Sequence, residues 1–429
     1  MTVAEPRTTR FGQMAVLAAA FLGWAFDGLE MGLFPLVASS ALRELLQTVD
    51  PKLISQWFSW LMAIFLIGAA TGGLIFGWLG DRIGRVTAMS LSIAAYAVFT
   101  GLGYFVQSPW QLLVLRFLAA LGMGGEWALG VALVMEMWPS SWRPFLAGFI
   151  GAASNVGFLL IAVVGLYAGD LDANWRWMML AGAAPAMLCI FIQFFVPESQ
   201  AWKASTKKAA APVNPIAEVF GGKLRRTTFI GIALGGIALL GTWGSVQWVP
   251  TWVGSAEFKV GEDGSKSDQE KAVERSKMKS HSQIASAAGA IVGCFMGSLL
   301  GGAIGRRPVY FFLCVASLAS ALSMFNLYSV YSLGFLGIVF LVGMTTASFY
   351  GWLPLYLPEL FPTRVRATGQ GVAFNAGRIV AAAGVMLTGQ LVPLLGSYAK
   401  AGAVISCVYV IGMAIIWLAP ETKGRPLPE

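Results

Sequence analysis

The sequence predicts an all-α membrane protein with twelve transmembrane helices, and three observations support this prediction. Hydrophobic residues make up 57% of the chain, charged residues make up 12%, and the mean hydropathy is +0.70, whereas soluble chains carry roughly 25% charged residues. Twelve apolar stretches of roughly 20 residues are each long enough to cross a hydrocarbon layer ~30 Å thick as a helix. Two groups of residues also return at a fixed distance along the chain.

The predicted helices follow one another with two longer polar segments between them. They span residues 11–38, 56–80, 86–106, 110–136, 145–168, 176–196, 227–252, 282–304, 308–330, 333–357, 368–396 and 399–419. The segment 200–226 is rich in Lys, Ala and Pro, and we interpret it as a linker between an N-terminal unit, 1–199, and a C-terminal unit, 227–429. The insertion 255–281 is polar, and its Ser267-Asp-Gln-Glu270 sequence is a capping box for a short helix.

A duplication is indicated by residues that return after 223 positions. The pairs are Glu136 and Glu359, Pro139 and Pro362, Arg143 and Arg366, Gly148 and Gly371, Pro197 and Pro420, Glu198 and Glu421, and the exchanged pair Ser199 and Thr422. A second set returns after 221 positions: Gly68 and Gly289, Gly72 and Gly293, Leu79 and Leu300, Gly80 and Gly301, Ile83 and Ile304, Gly84 and Gly305, and Arg85 and Arg306. Two copies of one unit of about 210 residues are typical of membrane transporters.

The placement of basic residues predicts the orientation, because Lys and Arg gather on the cytoplasmic side of short loops. With the N-terminus inside, seventeen of the 29 basic residues fall inside, ten outside and two within spans. Six of the ten lie in the insertion 255–281, together with six acids. Both termini are therefore predicted to be cytoplasmic in the plasma (inner) membrane, and the net charge of +8 is a topology signal that gives a nucleic-acid partner little support.

The cysteines and the N-terminus argue against further classes of protein. All four cysteines (Cys189, Cys294, Cys314, Cys407) fall inside apolar spans without metal-type spacing, so we expect no disulfide and no metal. The apolar run after Arg10 is too long for a signal-peptide core and is predicted to remain as the first helix. The chain has no nucleotide loop and no nucleophile constellation, so we predict neither an enzyme nor a cofactor.

The loop Gly77-Trp-Leu-Gly-Asp81-Arg82-Ile-Gly84-Arg85 resembles the signature of the major facilitator superfamily, although the second copy has Gly302 in place of the aspartate. The Glu-X-X-Pro-X-X-X-Arg repeats and the terminal Pro-Glu-Thr-Lys-Gly-Arg, 420–425, extend the resemblance over nearly the whole chain. The segments 116–127 and 361–378 resemble the proton-coupled carboxylate branch, which includes sialate, lactate and aromatic-acid symporters. Sugar porters share several of the loop motifs.

The resemblance implies two pseudo-symmetric six-helix bundles, with substrate bound between them near the midplane and alternating access by rocking. We expect a monomer in the lipid bilayer. The repeated loop charges can form ion pairs that close the cytoplasmic face, with static salt bridges as the alternative. The predicted gating residues are Asp81, Arg82, Arg85, Glu136, Arg143, Glu198, Glu359, Arg366 and Glu421.

Five charged residues fall inside predicted spans: Asp27, Glu30, Arg116, Glu126 and Arg378. Each costs roughly 2.5–3.5 kcal/mol at a helix centre on insertion scales, and such groups face a cavity or one another. Counted from the inner ends of their helices, Asp27 lies at ~25 Å and Arg116 at ~30 Å, so a pair between them is plausible. Glu126 and Arg378 both lie at ~15 Å, near the midplane.

These positions predict roles in proton coupling. Proton-coupled sugar porters carry an Asp and an Arg at similar places, and the resemblance extends to Asp27 and Arg116. We expect Asp27 to carry the proton, with a structural pair as the alternative, and Glu126 to be a second candidate. Glu30 lies one turn from Asp27, nearer the outer end of the helix, where a role at the rim is favoured.

Arg378 is predicted to contact the substrate because its planar fork suits a carboxylate, although a structural role between helices is the alternative. Asn375 lies on nearly the same helix face. The amides of Gln247 and Asn155 need partners within a span. Aromatic candidates for substrate contact are Trp24, Trp243, Trp248, Tyr350 and Trp352.

The leading prediction is a secondary active transporter that imports a small organic anion together with protons. A sugar or polyol symporter of the same fold is the first alternative. It is favoured by the terminal motif but weakened because the cluster of glutamines expected in span seven is reduced to Gln247. Proton-driven export of drugs or organic cations is the second alternative, and Arg378 argues against it.

Overall fold

The computed structural model describes residues 10–48, 50–167, 175–208, 214–222, 224–254, 257–258 and 268–428, which are helical apart from short connections. In this part of the chain, eleven helices are long and apolar enough to cross a membrane. The remaining predicted span, 176–196, is divided into two shorter helices. The predicted all-α architecture is confirmed, and 176–196 is the one predicted span that is not matched by a long apolar helix among the described residues.

The first half of the structure contains the first six spans. Its α-helices are α1 (Arg10–Leu46), α2 (Pro51–Ile83), α3 (Arg85–Leu102), α4 (Pro109–Met137), α5 (Arg143–Tyr167), α6 (Trp175–Ala181) and α7 (Ala186–Phe195). The sixth span breaks between α6 and α7 at Pro185. Proline has no N–H, and its ring collides with the carbonyl four residues earlier, which here belongs to Ala181, the last residue of α6.

Two short helices, α8 (Gln200–Lys208) and α9 (Pro215–Val219), lie in the predicted linker. The second half contains α10 (Arg225–Gly244), α11 (Val249–Gly254), α12 (Asp268–Ala303), α13 (Arg306–Leu327), α14 (Leu333–Leu360), α15 (Arg366–Leu395), α16 (Tyr398–Ser406) and α17 (Val408–Ile415). The short helix expected from the capping box is instead the first turn of α12, which begins before the predicted start at 282. Ser267 itself lies outside the described residues.

The repeated glycines bring equivalent helices together in both halves. Gly68 and Gly72 of α2 pack against α4, and Gly289 and Gly293 of α12 pack against α14. A Cβ atom at any of these positions would lie less than 3 Å from the backbone of the neighbouring helix. Small residues allow such close approach in lipid, so the duplication seen in the sequence is a duplication of helix packing.

The two halves meet through α2 against α15 and through α5 against α12 and α14. The repeated loop motifs lie at one end of the molecule, where α2, α4, α12 and α14 all end. We call this end the motif face and the opposite end the far face. The hydrogen bond from Gln13 Nε2 to the Met137 carbonyl (3.0 Å) aligns the start of α1 with the end of α4 at the motif face.

Candidate functional site

A cavity lies between the two halves. Its empty volume is about 950 Å³, counting the part open to solvent. Helices α1 and α5 line it from the first half, and α10, α11, α12, α14 and α15 line it from the second. Its polar lining residues are Ser154, Asn155, Thr242, Gln247, Ser282, Gln283, Ser286, Thr346, Tyr350 and Arg378. Arg378 is the one charged residue in the described lining.

The guanidinium of Arg378 is held in place by its own helix. Its Nη1 atom donates to Asn375 Oδ1 (2.9 Å), and its Cζ atom lies 5.2 Å from the centre of the Phe374 ring. Asn375 Nδ2 donates in turn to the Gly371 carbonyl (2.9 Å). Asn375 is buried and outside the described lining, so the prediction that it touches substrate is corrected. Its contacts orient Arg378.

The other predicted substrate residues divide into two groups. Asn155, Gln247 and Tyr350 line the cavity. Trp352 does not, because its side chain is buried near the motif face and its indole N–H donates to the carbonyl of Arg306 (3.1 Å). The prediction for Trp352 is therefore wrong. Among the weaker aromatic candidates, Trp24 and Trp243 line the cavity and Trp248 is not part of the described lining.

Aromatic rings from both halves form the floor of the cavity toward the motif face. Trp127 of α4 stacks on Phe374 of α15, with ring centres 4.0 Å apart and an angle of 16° between the planes. Trp24 of α1 packs against both rings, at 6.3 Å from Trp127 and 6.4 Å from Phe374. Trp24 and Phe374 also line the cavity, so these three rings separate it from the motif face.

Two buried carboxyl groups of the first half lie beside Arg378 of the second. Asp27 is 0% exposed, and both Glu126 and Arg378 are close enough to interact with it electrostatically. Gly23, one turn before Asp27, leaves the space that the Glu126 carboxyl occupies. The side chain of Glu126 is close enough to hydrogen-bond to the Asp27 carboxyl group. The two carboxyl groups can therefore hold a proton. Asp27 can also lose it when its charge is neutralised by Arg378.

The predicted pair between Asp27 and Arg116 is not formed. Arg116 Nη1 binds Glu30 Oε1 instead, and both side chains are buried. The guanidinium also lies over the rings of Phe34 (3.9 Å) and Phe65 (4.8 Å). Glu30 is 1% exposed, so the prediction that it lies at the rim is wrong as well.

The rise of the helices explains this pairing. With Gln13 level with Met137, Asp27 stands ~21 Å above the motif face and Glu126 ~17 Å, at 1.5 Å per residue. Glu30 stands at ~26 Å and Arg116 at ~32 Å by the same rise. Glu30 is therefore closer than Asp27 to the level of the arginine, and Asp27 is left near Glu126.

At the motif face, charges from the two halves form one buried network. Arg85 binds Asp81 (2.8 Å), Glu136 (3.3 Å) and the carbonyl of Thr363 (2.8 Å). Arg366 binds the same Glu136 oxygen from the second half (3.0 Å). These side chains are at most 1% exposed. The network holds the halves together at the motif face.

The second half repeats the inner part of this network. Arg306 binds Glu359 through two nitrogens (2.6 and 3.0 Å), and its counterpart Arg85 binds Glu136 through one. The Thr422 hydroxyl donates to Glu359 (2.5 Å), and the Ser199 hydroxyl donates to Glu136 at the equivalent place. The identities at fixed spacing therefore correspond to the same contacts made twice.

Glu198 and Glu421 cap the helices that follow the repeated loops. Glu198 accepts from the backbone N–H groups of Arg85 (3.0 Å) and Val86 (3.1 Å), the first two residues of α3. Glu421 accepts in the same way from Arg306 and Arg307 (both 3.0 Å) at the start of α13. Burial acts to raise the pKa of Glu421, but these donors and the N–H groups that follow it in the chain outweigh burial and lower the pKa.

One part of the network is not repeated. Asp81 accepts from the N–H groups of Ala367 (3.4 Å) and Thr368 (2.8 Å) in the first turn of α15. At the equivalent place in the second half, Gly302 packs against Pro144 of α5, and a Cβ at Gly302 would lie 2.6 Å from the proline ring. Proline has no N–H to donate. Pro144 is the counterpart of Ala367, so one of the two backbone donors to Asp81 has no equivalent in the second half.

The remaining predicted gating residues differ in role. Arg82 is exposed and lies over the ring of Trp78 on its own helix (4.6 Å), outside the network. Arg143 donates to the carbonyl of Met135 (3.3 Å). The prediction that Arg82 belongs to the gating network is therefore wrong. Arg143 supports the turn between α4 and α5.

The sequence predictions missed two groups. Gln283 and Ser286 of α12 line the cavity, and their spacing of three residues places them on one helix face. Two polar residues on one face of an apolar span are a pattern from which this part of the cavity lining could have been predicted. The carbonyl of Pro428 accepts from Thr363 N (3.2 Å) and Arg366 Nη2 (2.8 Å). No sequence pattern indicates that contact.

Comparison with known proteins agrees with this architecture. The model of the Major Facilitator Superfamily matches residues 16–385. A protein of Cupriavidus pinatubonensis named as a probable 4-methylmuconolactone transporter is 30% identical over 413 residues, which cover 95% of this chain and 90% of the relative. The cis,cis-muconate transport protein of Acinetobacter baylyi is 29% identical over 377 residues, which cover 85% and 84%.

Among solved structures, the proton:xylose symporter XylE bound to 6-bromo-6-deoxy-D-glucose is similar with a TM-score of 0.78. The match covers 97% of this chain and 98% of the other, at 17% identity. At this identity the likeness shows the fold alone.

Proposed function

Because the chain belongs to the Major Facilitator Superfamily, we propose that this transporter carries a small organic anion together with protons by alternating access. The anion is a monocarboxylate, a sialate-like acid or an aromatic acid. One observation carries the proposal: Arg378 is the single charge in the described lining of the cavity, and it lies near buried Asp27, which neighbours Glu126. Relatives named for the transport of muconate and 4-methylmuconolactone support an organic acid as substrate.

Arg378 supplies the anion site in this proposal. A guanidinium offers a planar fork of donors that matches a carboxylate, and its Nη1 bond to Asn375 leaves other N–H groups free to meet a ligand. Gln247, Asn155 and Tyr350 add hydrogen-bonding groups around the same space. Apolar walls keep water from weakening the ion pair.

Asp27 and Glu126 supply the proton site. Both carboxyl groups are buried, and Asp27 and a bound carboxylate would compete for the same guanidinium of Arg378. Two carboxylates beside one cation leave a net negative charge, which is costly to bury away from water. We therefore assign the proton that accompanies the substrate to this carboxyl pair, whose two members belong to the half opposite Arg378.

We further propose that the motif face is cytoplasmic in the plasma membrane, as the distribution of Lys and Arg predicts. The closed network of Arg85, Glu136 and Arg366 then corresponds to a state sealed on the inside. Release of substrate to the cytoplasm requires these contacts, and the bond from Thr368 N to Asp81, to break together. A single chain contains all these parts, and we propose that it works as a monomer.

Counterflow in proteoliposomes tests the anion site. Vesicles loaded with an aromatic monocarboxylate should take up labelled acid, and Arg378→Lys should reduce this exchange about 10-fold or more, because a bidentate partner is replaced by a point charge. Arg82→Lys is the matched control, since Arg82 is exposed at the motif face. An Arg378→Lys protein that exchanges acids as well as wild type would refute the assignment.

A sugar or polyol symporter is the second candidate, because the cavity lining also offers amides and hydroxyls (Asn155, Gln247, Gln283, Ser286, Thr242). The same counterflow experiment with labelled sugars and acids at two pH values separates the candidates. Stimulation of acid uptake by low external pH supports anion symport. Uptake of sugars alone would favour the second candidate.

A further inference from the structure

The cavity has polar groups at two different depths. Arg378 stands twelve residues from Arg366 along α15, or ~18 Å from the motif face at 1.5 Å per residue. Gln283 stands twenty residues from Ala303 along α12, or ~30 Å by the same rise. Since both side chains line one cavity, its far end lies at a level ~12 Å beyond that of the arginine along the helices.

The far end offers uncharged hydrogen-bonding groups. Gln247 lies on the segment after α10 and Gln283 on α12, and Ser286 follows on the same face as Gln283. Within the described part of the chain, neither glutamine amide has a hydrogen-bond partner. Each amide can donate and accept. The far end therefore suits a neutral polar group, and the described lining holds no second cation for another carboxylate.

The walls between the two ends are aromatic. Phe158 lines the first-half side and Trp243 and Tyr350 line the second-half side, while Trp24 and Phe374 belong to the floor toward the motif face. Flat rings favour stacked or edge-on contact with other flat groups. A planar molecule fits between such walls better than a bulky, fully hydroxylated one.

We propose that Gln247, Gln283 and Ser286 form a second subsite, which selects planar monocarboxylates that carry an uncharged polar group opposite the carboxylate. Hydroxyl, carbonyl and lactone groups belong to this class. The inference rests on the proposed function, because Arg378 holds the carboxylate end. It adds the requirement that the other end is bound by amides of the second half.

Three probes of similar shape test the subsite by competition with a labelled aromatic acid in counterflow. They are benzoate, 4-(hydroxymethyl)benzoate and terephthalate, which differ only in the group opposite the carboxylate. The hydroxymethyl compound should compete better than benzoate by about 3- to 10-fold, as expected for one net hydrogen bond. Terephthalate should compete least, because its second charge finds no cation.

Gln283→Leu and Gln247→Leu should each reduce this preference for the hydroxymethyl compound over benzoate. Gln107→Leu is the control, because Gln107 is exposed on the far face outside the cavity. Ser286→Ala provides a second test of α12 should Gln283→Leu fail to fold. A preference that is unchanged in Gln247→Leu and in the α12 variant would overturn the subsite alone. Failure of all three acids to compete in wild type would instead refute the proposed function.

Discussion

Arg116 is bound to Glu30, three residues beyond Asp27 on the same helix. The pair neutralises two buried charges within the first half and leaves Asp27 without a cation from its own half. The nearest positive charge that acts on Asp27 is Arg378, from the second half. One helix of the first half thus carries two acidic groups with different partners. Glu30 pairs with Arg116 inside its own half, and Asp27 interacts with Arg378 across the cavity.

Replacing Asp27 by Asn should separate exchange from accumulation. The amide cannot carry a proton, so Asp27→Asn proteoliposomes should lose accumulation against a gradient but keep counterflow. Uptake driven by an imposed pH gradient measures the first, and exchange at equal pH measures the second. Glu44→Gln is the control, because this carboxylate of α1 is half exposed and pairs with Arg176 (2.8 Å). Active accumulation by Asp27→Asn would contradict the assignment.

The Glu30 pair should behave as a structural element. Glu30→Gln leaves a buried guanidinium without a charged partner, and loss of one member of such a pair costs about 3–5 kcal/mol. Replacing both members by apolar residues, Glu30→Leu with Arg116→Met, should restore most of the stability. Thermal unfolding in detergent compares the variants. If the double variant is stable but no longer accumulates substrate, the pair takes part in coupling after all.

Breaking the network at Glu136 should open the motif face. Glu136→Gln removes the countercharge of Arg85 and Arg366. A hydrogen bond to a charged group contributes roughly 1.5–3 kcal/mol, so its loss should shift the equilibrium from the closed toward the open conformation by about 10- to 150-fold.

Spin labels on Ile83→Cys and Ile304→Cys report this opening. Both positions are exposed at the motif face and belong to the repeat. The labels require a background in which Cys189 and Cys407 are serine. Glu136→Gln should populate longer distances, whereas Glu218→Gln, which removes an exposed pair with Arg364, should not. An unchanged distance distribution in Glu136→Gln would show that the network does not hold the face closed.

A substitution at Gly302 tests why the second half lacks a copy of Asp81. Gly302→Asp restores the missing copy of Asp81, but its Cβ meets Pro144, which has no N–H to donate. Overpacking of this kind costs typically 1–3 kcal/mol. Adding Pro144→Ala provides both space and a donor, so the double variant should unfold at a higher temperature than Gly302→Asp. Equal melting temperatures would show that the proline is not the reason for the glycine.

Much of the motif face was predictable because its contacts are local or repeated. Glu136, Arg366, Glu198 and Glu421 were identified from their fixed spacing, and the structure places each in the network or at a helix cap. The gating prediction for Arg82 was wrong because a motif does not tell which of two nearby basic residues faces inward. Its neighbour Arg85 is buried while Arg82 is exposed.

The cavity was harder to predict. Arg378 was identified because a charge in an apolar span must find a partner or a cavity. Trp352 was wrong, since a tryptophan in a span can face a cavity or pack in a core, and composition does not distinguish the two. Gln283 was missed although its spacing from Ser286 places both on one helix face.

By itself the sequence determined the number of spans, the duplication and the set of buried charges, because the cost of exposing apolar groups to water or charges to lipid depends on residue type and spacing alone. Only the tertiary structure decided which charges meet. Asp27 and Glu30 lie on one helix and differ by three residues, yet one faces Glu126 and Arg378 while the other binds Arg116. That choice depends on how far the helices slide past one another, and contacts such as Gln13 with Met137 set this register only when the chain is folded.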